Sequence, residues 1–449
     1  MRRGPEGVRT GGPPRVGPGT VVGLLGANSP QWVQAYEAAW RQGATALLLN
    51  TRLADSELRE QLGRARACLV LADADHVGRD LGPVPVRDLA REFPGGSGMR
   101  WPVLAPVLAA APPGRSRRAR VVMFTSGSSG SPRGVILTAA QLAASARAAA
   151  AHFALGPDDV WLAALPFFHV GGLAILHRMA RCDGRVFIVP RFAPEAVREA
   201  VAAHRVTRLS LTPTMLERLL AGGWRPPAFL RTLLLGGEPI PADLLARCPR
   251  AVAGYGMTET ASLVAAGAPG EAALRPLPGF EMRIVGDGGQ PCEPGEAGRI
   301  AVRGGALMRG YLGGPALEGG WFETGDLGVA DATGRFFVLG RADDLILSGG
   351  ENVSPTEIET ALRRHPAVAA AAVAALPDAR WGQVPGALVV LRPGCPEPAD
   401  LAAFLRAGLG GFKVPRYVSY VAELPVLASG KIDRNAVAAA LAAGDVKKG

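Results

Sequence analysis

At 449 residues with 48% hydrophobic side chains, the chain is too long for one ordinary core, and two or three domains are expected. The net charge of +10 comes from scattered arginines rather than a clustered basic stripe, which argues against a nucleic-acid partner. The five cysteines form no C-x-x-C pair, so they indicate neither a zinc site nor a disulfide framework, and they suit a reducing cytoplasm. No apolar run is long enough to span a bilayer; the alanine-rich stretch 365–376 is too short and ends at Pro377. The arginines near Met1 have no apolar segment behind them, so no signal peptide is expected.

Residues 1–19, rich in Gly, Pro and Arg, read as a disordered leader. Val21–Leu25 reads as a strand, Ser29 and Pro30 as the start of a helix to about residue 42, and 44–49 as a second strand. A helix over 55–66 and a third strand over 68–71 follow. This alternation predicts a mostly parallel sheet with helices on its faces. Residues 93–118 read as a surface connection. An apolar strand over 121–124 then enters a loop, 125–134, with four glycines or prolines, five hydroxyls and one cation, Arg133. Such a loop can wrap its N–H groups around an anion, and a nucleoside triphosphate is the natural guest. It is not a Walker A motif, because no Gly-Lys-Ser/Thr opens a helix after it.

A helix of small residues is expected over 139–151, with strands over 186–189, Arg208–Leu211 and 233–235. Phe168-His169 is followed by Gly171-Gly172, which permits close backbone approach and suggests a pocket wall. Gly236-Gly237-Glu238-Pro239 is a turn where backbone could meet a flat ring. Tyr255, Thr258 and Glu259 bring an aromatic, a hydroxyl and a carboxylate together, suiting a stacked base, a phosphate donor and a Mg²⁺ ligand. From Glu281 the pattern changes to short strands, 282–285, 299–303 and 336–339, predicting a small β-rich subdomain over about 281–340. Thr324-Gly325-Asp326, Gly340-Arg341-Ala342-Asp343-Asp344 and Ser348-Gly349-Gly350 lie in or after it. A compact α+β unit follows: a helix over 355–364, strands over 369–374 and 386–391, and a helix over 398–408. No internal repeat is visible.

Taken together, these stretches resemble the adenylate-forming (AMP-binding) superfamily of acyl-CoA synthetases, luciferases and peptide-synthetase adenylation domains. The Gly/Ser loop, 254–262, Thr324-Gly325-Asp326, 340–344 and Ser429-Gly430-Lys431 occur in the family's order, and the resemblance covers about residues 20–440. Three stretches, 168–176, 211–216 and 346–355, look most like the o-succinylbenzoate–CoA ligases of menaquinone synthesis. The resemblance implies an α/β fold. A large N-terminal domain of mixed and parallel sheets, 20–340, would precede a small mobile α+β C-terminal domain, 341–449.

It also implies two half-reactions: a carboxylic acid and MgATP give an acyl-adenylate, and a thiol, usually coenzyme A, then displaces AMP. Carried over residue by residue, Thr125, Ser126, Gly127, Ser128, Ser129 and Arg133 would hold the β- and γ-phosphates, Thr258 the α-phosphate and Glu259 the Mg²⁺. Gly237, Glu238, Pro239 and Tyr255 would line the adenine slot, and Asp326 would receive the ribose hydroxyls with Arg341 nearby. Lys431 would be the adenylation lysine. It is one of only four lysines (413, 431, 447 and 448), so its retention in an arginine-rich chain fits a site that needs a compact ammonium. Asp343 would be the hinge, and Ser348-Gly349-Gly350 would face the thiol channel. His169 would gate an acyl pocket of Phe168, Gly171, Thr212, Gly236, Met257 and Ser262, with Arg178 for a second substrate carboxylate. The family is often dimeric, so a homodimer in the cytoplasm is the corresponding expectation.

Three departures stand out. Arg133 replaces the usual loop lysine, and Leu347 stands where relatives carry lysine, so it is given no catalytic role. The segment before Val21 is also shorter than in relatives, which predicts an exposed sheet edge or apolar patch. Other readings are a medium-chain or aryl acyl-CoA ligase, an enzyme loading a carrier protein, and a nucleotide-binding pseudoenzyme.

Overall fold

The structure is a computed structural model that describes residues 15–94, 118–125, 132–317, 319–427, 432–443 and 447–448. The first sheet grows from Val21–Leu25, which pairs in parallel with Thr45–Leu49 on one side and Leu69–Ala72 on the other. Every residue of Thr45–Leu49 is buried, as a parallel strand covered on both faces requires. The Pro30–Arg41 helix begins where its sequence signals: Ser29 Oγ accepts the Trp32 N–H at 3.1 Å and Pro30 occupies the first turn. Its apolar side sinks Trp32, Tyr36 and Trp40 into the core, each contributing about 2 kcal/mol or more of transfer free energy. Ala119–Thr125 lies parallel beside Thr45–Leu49, and Arg133–Thr138 returns antiparallel to it with Thr125 opposite Arg133. These two arms flank residues 126–131, which lie outside the described residues.

The second sheet has eleven strands among the described residues. Val160–Ala163, Arg185–Ile188, Arg208–Leu211, Thr232–Leu235 and Ala251–Met257 run in parallel. Pairing then turns antiparallel through Ser262–Pro269, Leu274–Pro276, Phe336–Arg341, Phe322–Ala330, Ala297–Gly304 and Phe280–Val285. The short strands expected after Glu281 are thus present, and Leu274 opposite Phe336 joins them to the same sheet.

One buried ion pair ties the N-terminal ends of the parallel strands together. Arg208 donates from Nε to Asp159 Oδ1 at 2.9 Å and from Nη2 to Oδ2 at 3.1 Å. Thr207 Oγ1 (2.7 Å), the Gly156 N–H (3.1 Å) and, at 3.5 Å, the more exposed Arg231 Nη1 also donate to the Asp159 carboxylate, and Arg208 Nη1 reaches Thr232 Oγ1 at 2.5 Å. The two side chains are 1% and 6% exposed.

In the C-terminal unit, Val368–Asp378 and Gly382–Leu391 form a long antiparallel hairpin, with Tyr417–Tyr420 in parallel beside the second arm. Both arms outrun the sequence expectation because ladder pairing continues past the prolines, with Pro377 opposite Gln383 and Ala375 opposite Pro385. The helix expected over 398–408 is confined to Leu401–Arg406: Asp400 caps it by accepting the Ala403 N–H at 3.3 Å, which leaves Pro398 outside. An unanticipated helix, Arg434–Ala443, closes the unit. No helix among the described residues is long and apolar enough to cross a membrane.

Candidate active site

Because five strands of the second sheet run parallel, the segments leaving their C-terminal ends gather along one edge, where open α/β sheets bind ligands. Tyr255 stands near the end of Ala251–Met257. Its hydroxyl lies 2.7 Å from Asp326 Oδ2 and 3.0 Å from Thr324 Oγ1. Asp326 is opposite Arg341 in the strand ladder, and Arg341 Nη1 donates to Asp326 Oδ1 at 3.2 Å. Tyr255 and Arg341 thus hold one carboxylate oxygen each, while the Asp326 N–H donates to Thr324 Oγ1 at 3.1 Å and fixes the backbone beneath it. Burial, and then the Asp326 charge, push the Tyr255 phenol far above its ordinary value, so it stays protonated and can donate to Asp326. Asp326 is 9% exposed and rigidly aimed, which fits an acceptor for two vicinal hydroxyls.

Glu259 sits in a short 3-10 turn, Thr258–Thr260, directly after that strand. The turn is tight: Ala261 and Ser262 both take positive φ, 52° and 102°. Gly256 is required beside it, since a Cβ there would lie 2.0 Å from the Ser262 carbonyl oxygen. Ser145 Oγ anchors the turn by donating to Ala261 O at 2.7 Å. Tyr311 donates to Glu259 Oε1 at 2.9 Å, and the Arg133 guanidinium lies over the Tyr311 ring at 4.3 Å. Burial and the Glu259 charge raise the Tyr311 phenol well above its ordinary value. Arg133, Tyr311 and Glu259 thus link the end of the Gly/Ser loop to the acidic turn. No group of three or more His, Cys, Asp or Glu side chains able to hold a metal occurs among the described residues. Glu259 alone, with its second oxygen bonded by no described residue, fits a Mg²⁺ ion held mainly by phosphate oxygens and water.

His169 is the N-cap residue of the Val170–Cys182 helix, and Arg178 lies about two turns along it. Asn28, in the turn after the first strand, orients the approach: its amide donates to Leu165 O at 2.9 Å and its Oδ1 accepts the Phe167 N–H at 2.8 Å. Gly172 is obligatory, because a Cβ would lie 2.2 Å from Pro166 O, as the paired glycines suggested. The Phe168 and His169 rings are 4.7 Å apart. Thr212 caps the Pro213–Ala221 helix by accepting the Met215 N–H at 3.2 Å. Glu238 binds the same helix start, accepting from the Thr214 N–H at 3.2 Å and from Thr214 Oγ1. Its carboxylate therefore anchors the 236–239 turn, in which Gly237 has φ +84°.

Arg178 is 2% exposed and donates from Nη2 to Ser262 Oγ at 3.0 Å, with its guanidinium 5.4 Å from the Trp161 ring centroid. No described carboxylate pairs with it, and burial lowers its pKa to about 10. Its neighbour His177 is also buried and shares a 2.8 Å contact with Tyr36 Oη. Burial lowers the His177 pKa from 6.5 to about 3. The unfolded chain therefore binds a proton that the native protein excludes between those values, and stability falls as pH drops through that window. Between pH 7 and pH 5, denaturant titration of the wild type should lose about 2 kcal/mol more than His177→Gln. Equal losses in the two proteins would overturn this.

In the C-terminal unit, Gly349 and Gly350 turn the hairpin between Ile346–Ser348 and Glu351–Val353 with φ of 61° and 89°. The Gly349 N–H is bonded to Trp381 O at 2.9 Å, and Ser348 is buried while Leu347 is 54% exposed. Asp343 accepts from Arg341 Nη2 at 3.1 Å. The structure thus brings Tyr255, Asp326 and Arg341 together, joins Glu259 to Arg133 through Tyr311, and pairs Arg178 with Ser262. Ser126, Gly127, Ser128, Ser129 and Lys431 lie outside the described residues. Sequence reasoning missed Tyr311, Asn28 and Thr214, whose partners lie 52, 139 and 24 residues away.

The chain belongs to the AMP-binding enzyme family. A family model described as AMP-binding enzyme matches residues 15–312, and one described as AMP-binding enzyme C-terminal domain matches 357–431. The chain is similar to the 2-succinylbenzoate–CoA ligase of Bacillus licheniformis, 37% identical over 438 residues that cover 93% of this chain and 89% of that protein. Its fold is similar to o-succinylbenzoate CoA synthetase from Bacillus subtilis in complex with the acyl-adenylate intermediate OSB-AMP. There the TM-score is 0.82 at 33% identity, covering 97% of this chain and 90% of that one. The same enzyme in complex with ATP and magnesium ion gives a TM-score of 0.80 at 32% identity, covering 94% and 89%. The architecture is therefore the adenylate-forming enzyme fold, a large N-terminal α/β domain followed by a small C-terminal domain.

Proposed function

We propose that the chain is an ATP-dependent ligase that joins 2-succinylbenzoate to coenzyme A through an acyl-adenylate. The observation that carries this is the Asp326 carboxylate, fixed by Tyr255 and Arg341 on the same sheet edge as the Glu259 turn. In the first half-reaction a substrate carboxylate oxygen attacks the α-phosphorus of ATP, the bond to the β-phosphate breaks, and pyrophosphate leaves. In the second, the CoA sulfur attacks the acyl carbonyl carbon, AMP leaves, and a thioester remains. Asp326 would accept the ribose hydroxyls, Thr258 would donate to the α-phosphate, and Thr125 and Arg133 would flank the β- and γ-phosphates. Mg²⁺, when bound at Glu259, supplies charge neutralisation to the phosphates. Lys431 would donate to both the acid and the α-phosphate in the first half-reaction. The five cysteines, all free, fit work in a reducing cytoplasm.

2-Succinylbenzoate carries a second carboxylate that a specific site must offset. Arg178 is a buried cation without an acidic partner among the described residues, and its charge is presented through Ser262. Arg178→Ala is expected to lower kcat/KM for 2-succinylbenzoate about tenfold or more while sparing benzoate, with Arg178→Lys intermediate. Equal losses on both acids, in folded protein, would rule out this role. The proposed reaction itself is tested by acid-dependent pyrophosphate release from MgATP, with and without CoA, using 2-succinylbenzoate, benzoate, octanoate and mixed amino acids. Release with 2-succinylbenzoate that yields a CoA thioester and needs Lys431 is the expected result. Release only with another acid would move the substrate, and none with any acid would leave a nucleotide-binding protein without turnover.

A further inference from the structure

The adjacent residues Asp343 and Asp344 are bound to opposite bodies of the molecule. Arg341, which holds Asp343 at 3.1 Å, also donates to Asp326 and to the Thr324 carbonyl, so Asp343 is tied to the large domain. Asp344 instead faces Arg434, whose Nε lies 3.4 Å from Asp344 Oδ2. Arg434 is built into the C-terminal unit. Its Nη1 donates to Glu359 Oε1 at 2.5 Å and to Val373 O at 2.6 Å, and Nη2 reaches Glu359 Oε2 at 3.4 Å. The Val373 N–H closes the ring by donating to Glu359 Oε1 at 2.9 Å. The Glu359 side chain is 7% exposed and that of Arg434 is 23% exposed.

One guanidinium thus joins the Pro355–Arg363 helix, the Val368–Asp378 strand, the first residue of the Arg434–Ala443 helix and the turn residue Asp344. The peptide between Asp343 and Asp344 is where the two sets of anchors part. Two long backbone bonds span it, from the Asp344 N–H to Arg341 O at 3.3 Å and from the Leu345 N–H to Ala342 O at 3.4 Å, and rotation there must break them. We propose that Arg434 is a positioning residue: by clamping Asp344 to the C-terminal unit it confines rotation to the Asp343–Asp344 junction. The 432–434 segment then moves as part of one rigid body. This rests on the reading of Asp343 as the hinge and Lys431 as the adenylation lysine.

The test uses the full-length enzyme with Arg434→Gln, Arg434→Lys, Asp344→Asn, the Arg434→Gln/Asp344→Asn double variant, and Lys431→Ala. Single-turnover pyrophosphate release reports adenylation, and thioester formation from supplied 2-succinylbenzoyl-adenylate reports the second step. Arg434→Gln is expected to slow adenylation about tenfold to a hundredfold more than thioester formation, with KM for ATP nearly unchanged. Arg434→Lys should restore part of the rate. Asp344→Asn should show the same split more weakly, and the double variant should be no worse than Arg434→Gln. A purely structural role predicts instead that both half-reactions fall together with the thermal midpoint, and that outcome would overturn the proposal. Should Arg434→Gln fail to fold, Asp344→Asn decides, since Asp344 has a half-exposed side chain and leaves the Glu359 pair intact. Adenylation surviving in Lys431→Ala would refute the underlying reading, whatever the Arg434 variants do.

Discussion

Asp326→Ala is expected to raise KM for ATP and lower kcat/KM for ATP about a hundredfold, with little change in KM for the acid. A carboxylate accepting from two ribose hydroxyls makes charge-assisted bonds, each worth about 1.5–3 kcal/mol. The native carboxylate needs no reorganisation to make them, because Tyr255 Oη at 2.7 Å and Arg341 at 3.2 Å already fix its plane. Fold damage should be small: Thr324 keeps its bond to Ile300 O at 3.0 Å, and Tyr255 keeps Thr324 as a partner at 3.0 Å. Tyr255→Phe should cost only about tenfold, since the acceptor remains and only its orientation loosens. Steady-state kinetics with varied MgATP, alongside AMP binding by calorimetry, separates these cases. An Asp326→Ala enzyme with KM for ATP within about threefold of wild type would remove Asp326 from the nucleotide site.

Asp159→Ala is expected to destabilise the large domain by about 3–5 kcal/mol. The cost arises less from the lost attraction than from what stays behind: a guanidinium, 6% exposed, with only Thr232 as a remaining partner. Replacing the pair together by Asp159→Leu/Arg208→Met should recover much of the loss, since a buried ion pair and an apolar pair of similar volume are close in stability. Burial alone would raise the Asp159 pKa, but Arg208, Thr207 and the Gly156 N–H outweigh it and hold it below the ordinary 3.8. The contribution of Asp159 is therefore present above the ordinary value and is lost as pH falls through the depressed one. Urea unfolding at neutral pH measures the difference; a loss under about 1 kcal/mol for Asp159→Ala would contradict the buried-pair account.

The candidate site was legible where chemistry is written in short runs. Tyr255, Glu259, Asp326 and Arg341 each sit in a compact motif, and the order of those motifs was enough to group them. It was not legible where function depends on what a side chain meets. The Glu238 carboxylate anchors its turn on Thr214, a contact that nothing in residues 236–239 signals. Arg178 is enclosed and bonded to Ser262, 84 residues away, a partner that its own stretch of sequence does not name.

By itself the sequence determined the alternation of the first strands and helices, because buried parallel strands are continuous apolar runs and helix starts such as Ser29-Pro30 are local signals. It also determined the hairpin glycines and the motifs of an adenylate-forming enzyme, because those demand particular residues at fixed offsets. Only the tertiary structure decided that Tyr311 supports Glu259, that Asn28 orients the His169 segment, that Asp159 pairs with Arg208, and that Arg434 clamps Asp344. Each of these joins groups far apart along the chain. A polar side chain carries no local record of which distant partner will satisfy it once water is excluded, so such pairings are settled only when the sheets and the C-terminal unit close around them.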